Sequence, residues 1–78
     1  MEVDDVEINI NYSKRGVMVG PEKWLFKQVY REKILGSEKY IYIGNLYDPT
    51  GEKKELRIAA KNINGLRRQI KKYILRWI

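Results

Sequence analysis

Between Leu56 and Ile78 the chain carries seven basic side chains, Arg57, Lys61, Arg67, Arg68, Lys71, Lys72 and Arg76, and no acidic one. Cations repeated along one surface attract a polyanion, and the phosphate backbone of a nucleic acid is the commonest polyanion open to a small protein. The chemistry offered is electrostatic: such groups hold phosphates without making or breaking bonds. Catalysis lacks its usual groups. The absence of Cys and His removes thiolate and imidazole chemistry and nearly every structural zinc site. The acids either cluster near the N-terminus or sit singly in turns beside Lys, so no acid–base constellation can be assembled. The reading is a non-enzyme with no cofactor and no metal. Asp48 and Glu52 are read as solvated turn acids, and Gly16-Val17-Met18-Val19-Gly20 lacks the Gly-x-Gly spacing and following helix of a phosphate loop.

The net charge of +6 is unevenly distributed: residues 1–12 carry −4, residues 13–55 carry +3 and residues 56–78 carry +7. Either the acidic segment lies against the basic one and neutralises it, or it is a tail that competes with phosphate. The length of 78 residues fits one domain with a modest core and no deep catalytic pocket. The first residues do not read as a leader and no apolar run is long enough to span a bilayer, so a cytoplasmic protein is expected. Ten Ile and only two Gln resemble the usage of proteins from hot environments.

The elements that must position these cations follow from periodicity. Val6, Ile8 and Ile10 alternate with Glu7, Asn9 and Asn11, which predicts a strand near 5–12. Ser13 to Gly16 supplies a turn and Gly20-Pro21 a break, so residues 1–22 read as a strand or small hairpin. Trp24 to Tyr30, Lys39 to Tyr47 and residues 54–60 read as three strands of an antiparallel meander over 23–60. Its last turn is at Asp48-Pro49-Thr50-Gly51, where Asp bonds its own backbone and Pro and Gly preset the bend. Ile63, Leu66, Ile70, Tyr73, Ile74 and Trp77 recur at helical spacing, giving an amphipathic helix over 62–77 with Asn62 as N-cap. The expected fold is α+β: a small antiparallel sheet of three to five strands packed on one C-terminal helix, in a single domain.

On this arrangement, Leu25, Val29, Ile41, Ile43, Leu56 and Ile58 are expected to face the helix. Trp24, Phe26, Tyr30, Tyr40 and Tyr42 then share the opposite face with Gln28 and Arg57. Those aromatics either stack on unpaired bases or are covered by the N-terminal strands. For duplex DNA, the suitable strand and hairpin side chains are Lys27, Gln28, Arg31, Lys33 and Arg57. Lys14, Arg15, Lys39, Lys53 and Lys54 clamp the backbone from turns, and Arg67, Arg68, Lys71 and Lys72 add cations from the helix. The expected function is non-catalytic binding of nucleic acid, double-stranded DNA first. The alternative is a protein-interaction module or homodimer, in which Leu75, Trp77 and Ile78 bury in a partner. A membrane surface is not expected, because the apolar stripe is needed for the core.

The segment Trp24 to Ile74 resembles the three-stranded-sheet-plus-helix DNA-binding domains at the N-terminus of some tyrosine integrases and in plant AP2-type factors. The resemblance rests on the meander order, on Tyr40-Ile41-Tyr42-Ile43 leading to Asp48-Pro49-Thr50-Gly51, and on Gly65-Leu66-Arg67-Arg68-Gln69-Ile70 in the helix. It implies that an exposed sheet face enters the major groove through Lys27, Gln28 and Arg57. In outline the chain is also similar to the small chromatin proteins of thermophilic archaea, which implies the same class of ligand.

Overall fold

A computed structural model describes residues 2–77, with Trp77 as backbone only. The elements are β1 (Glu2–Val3), β2 (Val6–Lys14), β3 (Val17–Lys33), β4 (Tyr40–Tyr47), β5 (Lys53–Ala60) and α1 (Ile63–Trp77). They form the expected α+β arrangement, one five-stranded antiparallel sheet with a C-terminal helix. Within the sheet, β1 and β2 follow one another along one side of β3, β4 pairs with its other side, and β5 forms the far edge.

The N-terminal hairpin turns through Arg15 (φ 53°) and Gly16 (φ 78°), the two left-handed residues that a tight two-residue hairpin turn requires. The expected break at Gly20-Pro21 does not end a strand. It is absorbed as a register shift against β2, where Ile10 pairs with Glu22 and Tyr12 with Val19, and β3 continues for 17 residues. The hairpin and the meander therefore share one long strand. At the last turn, Asp48 Oδ1 accepts hydrogen bonds from the backbone N–H of Thr50 and Glu52, both at 2.9 Å, and from Thr50 Oγ1 at 2.6 Å. Helix α1 starts at its predicted cap, where Gly65 N–H donates to Asn62 Oδ1 at 2.9 Å.

A two-residue connector, Lys61-Asn62, returns α1 antiparallel to β5. Leu66, Ile70 and Ile74 are fully buried against the sheet, which curls so that both β2 and β5 approach the helix while β3 and β4 pass beneath it. The core facing α1 contains Val6, Ile8 and Ile10 of β2, Trp24, Phe26 and Val29 of β3, Tyr42 and Leu46 of β4, and Leu56 and Ala60 of β5. The acidic N-terminal segment is thus structural. Glu2 and Val3 pair with Tyr30 and Val29, and the apolar positions of β2 are core.

The expected division of the sheet faces is corrected here. Trp24, Phe26 and Tyr42 lie under the helix, whereas Leu25, Ile41 and Ile43 lie on the outer face. Two features set this phase. The β4–β5 register opposes Tyr42 to Ile58 and Ile43 to Arg57, so the helix-facing partner of Ile58 is Tyr42 and not an isoleucine. A bulge then interrupts β3 at Gln28 (φ 52°): Lys27 pairs with Asn45 and Tyr30 with Ile43, leaving Gln28 and Val29 opposite Gly44 alone. Side-chain alternation reverses there, so Val29 joins Phe26 inside and Tyr30 turns outward. Gly44 is what lets Phe26 settle, because a Cβ there would stand 3.0 Å from both Lys27 O and Phe26 Cζ.

Candidate nucleic-acid interface

The fourteen side chains expected to meet nucleic acid are divided among five surfaces, with Arg57 shared between two of them. On the outer sheet face lie Lys27, Gln28, Lys53 and Arg57, with Gln28 held by Asn45 Nδ2–H donating to its Oε1 at 3.1 Å. This face is also apolar and charge-balanced. Tyr30 and Ile41 are 46% and 38% exposed on it, and Lys27, Lys53 and Arg57 are offset by Glu2, Glu32 and Glu55 on the same side of the sheet. Lys27 Nζ sits over the Tyr47 ring at 5.6 Å from its centroid.

The second surface is the helix side of the β3–β4 end, where the bulge has sent Arg31 and Lys33 away from Lys27. Both pack on Tyr40, with Arg31 Cζ 4.5 Å and Lys33 Nζ 4.9 Å from the ring centroid. Lys54 similarly reaches the helix side, 5.4 Å from the centroid of Tyr73. These cations are already engaged with aromatic faces. A third group, Lys14 and Arg15, occupies the exposed tip of the β2–β3 hairpin.

The fourth surface is a groove between the free edge of β5 and the flank of α1. One part, about 370 Å³, is lined by Arg57, Gln69, Lys72, Tyr73 and Arg76. It abuts a second part of about 240 Å³, with which it shares Ala59 and Gln69, lined also by Lys39, Lys61 and Arg68. Arg68, Lys72 and Arg76 are brought to this side by four-residue spacing on the helix, and Arg57 reaches it because it sits on the edge strand. Lys61 is paired with Glu38 at 3.5 Å, and among the described residues no ion pair engages Arg57, Arg68, Lys72 or Arg76. No acid lines either part. The result is a connected run of cations with unspent charge.

On the other flank of α1 the charge is partly answered. Arg67 Nε–H donates to the backbone oxygen of Glu7 at 3.3 Å, and Arg67 and Lys71 line a shallow cleft with Glu7. The Glu7 carboxylate is held below its usual pKa first by the Asn9 side-chain amide and then by Lys23, whose Nζ is 3.3 Å away. The acidic N-terminal strands therefore touch only this flank, and the β5 flank is left alone.

The sequence reading included Lys39, Arg57, Arg68 and Lys72 among the site residues but left out Lys61, Gln69 and Arg76. The signals for those three were the short connector, which folds the helix back along β5, and the spacing of Arg68, Lys72 and Arg76. Readings that rested on the side chains of Trp77 and Ile78 lie outside the described residues. No helix among the described residues is long and apolar enough to cross a membrane. Comparison with known protein families, curated proteins and solved structures returns no match. The surface itself is what defines this α+β domain: a sheet-and-helix scaffold with one basic groove.

Proposed function

We propose that the protein is a non-catalytic nucleic-acid-binding protein that grips the phosphate backbone, with double-stranded DNA as its expected ligand, through the groove between β5 and α1. The observation that carries this reading is the line of Arg68, Lys72 and Arg76 along the groove, free of ion pairs among the described residues, in a groove that no acid lines and that Arg57 joins from the edge strand. Condensed counterions leave the duplex when such cations neutralise phosphates, and their release favours binding. The outer sheet face, which the resemblance to integrase and AP2-type domains would place in the major groove, supports the reading less. Its cations are matched by acids, so it lacks the long-range attraction that brings a surface to DNA.

The test is a fluorescence-anisotropy titration with duplex DNA, single-stranded DNA and duplex RNA at several salt concentrations. About five groove cations meeting phosphates give a slope of log affinity against log salt near −4.5 for the duplex. Absence of binding to all three at low salt would refute the proposal. Preference for a single strand would replace the duplex while keeping the groove.

A further inference from the structure

The outer face of the sheet remains uncovered, and of its charged side chains only Arg57, on the edge strand, also lines the groove. On β3 and β4 it presents Leu25, Tyr30, Ile41, Ile43 and Tyr47, and a depression of about 340 Å³ that reaches β5 is lined by Glu32, Ile41, Ile43, Arg57 and Ala59. Water-facing sheet surfaces normally alternate to polar residues, so a centre of isoleucine and tyrosine marks this face as a candidate contact surface. We propose that its partner is a second copy of the same chain, packed sheet face to sheet face.

The charge pattern selects a like molecule. The chain carries +6, and two copies meeting through α1 or the groove would repel each other. On the outer face alone, Lys27, Lys53 and Arg57 are balanced by Glu2, Glu32 and Glu55. The pattern is also self-complementary. Pairing runs Tyr30–Ile43–Arg57 in one row across the sheet and Glu32–Ile41–Ala59 in another, so Glu32 and Arg57 stand on opposite sides of the β4 isoleucines. A two-fold axis along β4 in the plane of contact lays β3 of each copy over β5 of the other. Each Glu32 then comes over the partner copy's Arg57, offset by about 7 Å along the strand, a gap that two long side chains close. The isoleucines of the two copies meet at the axis.

Three strands about 4.8 Å apart over eight residues present a footprint of roughly 400 Å² per copy, about 800 Å² in total, below the range of stable interfaces, so a weak dimer that forms only at high protein concentration is expected. Such a dimer leaves its two α1 helices on opposite outer sides.

The experiment is sedimentation equilibrium of the full chain without nucleic acid, from about 5 to about 500 µM, which keeps it independent of the DNA-binding reading. The expected result is a monomer–dimer equilibrium that Ile41→Lys weakens at least about tenfold, because it buries two unpaired charges. Glu32→Lys is expected to weaken it as well, and Glu32→Lys combined with Arg57→Glu to restore it. Circular dichroism melts check that each variant is folded, with Tyr30→Ser serving in place of any that is not. A chain that stays monomeric at the highest concentration, or a dimer indifferent to Ile41→Lys and Glu32→Lys, would overturn the proposal.

Discussion

Replacing Lys72 and Arg76 together by Gln removes two charges from the groove while keeping polar side chains of similar length. Each cation that neutralises a phosphate contributes about 0.9 to the salt slope, so the double variant should lower the slope by about 1.8. At about 0.1 M salt this is a loss of about 60-fold, or about 2.5 kcal/mol, which shrinks towards nothing as salt approaches about 1 M. Both side chains are exposed, so their loss should affect folding little; Arg76 in the last helical turn forfeits about 0.3–1 kcal/mol of dipole interaction. The assay is duplex titration by anisotropy across salt, with thermal melts to confirm the fold. Lys27→Gln with Lys53→Gln is the control, since it makes the same change in net charge on the outer sheet face. If the control costs as much affinity and slope as the groove variant, binding follows net charge or the sheet face, and the argument for the groove fails. An unchanged slope in the groove variant would refute it more directly.

Gly44→Ala should lower the melting temperature by an amount equivalent to about 1–3 kcal/mol, because its Cβ would stand 3.0 Å from Lys27 O and Phe26 Cζ and the bulge leaves little room to move. Tyr42→Phe should leave stability unchanged or raise it by about 1 kcal/mol in a denaturant titration, since the buried Tyr42 hydroxyl has no hydrogen-bond partner among the described residues. The hydrogen bond from the Thr50 hydroxyl, followed by those from the backbone of the same turn, holds the Asp48 carboxyl below its ordinary value of 3.8. A carboxylate depressed in this way stabilises the fold above its unfolded pKa and loses that contribution as pH falls through the folded one. Thermal melts of wild type and Asp48→Asn should therefore differ most near neutral pH and converge as the pH falls below the ordinary value of 3.8.

The parts legible in the sequence were those fixed by local rules. Asn62 caps the helix it was expected to cap, the apolar stripe of Leu66, Ile70 and Ile74 is buried, and Asp48-Pro49-Thr50-Gly51 makes its turn. The phase of the sheet faces was not legible. It depends on Gln28 adopting a left-handed conformation, and Gln carries no signal for it in the way Gly or Asn would. The alternation in β4 was equally ambiguous, because Tyr40 and Tyr42 on one face and Ile41 and Ile43 on the other are both plausible cores. Only the pairing of Tyr42 with Ile58 decides between them. The groove was half legible: the cations were visible, but their assembly beside Arg57 required knowing that α1 returns along the edge strand.

The bulge at Gln28 accounts for more than the position of Val29. Unbroken alternation from Lys27 would put Val29, Arg31 and Lys33 on the outer face and bury Tyr30 and Glu32 beneath the helix. That outer face would be strongly cationic and fit for DNA, at the cost of a carboxylate directed towards the core side. With the bulge, Arg31 and Lys33 cross to Tyr40 on the helix side, and Tyr30 and Glu32 come outward. The outer face loses two cations and gains an acid and an aromatic ring. It thereby becomes neutral and apolar at its centre, while uncompensated charge remains along β5 and α1. One inserted residue in β3 thus sets a charge-balanced, apolar outer face apart from the cationic flank of α1, with Arg57 at the border between them.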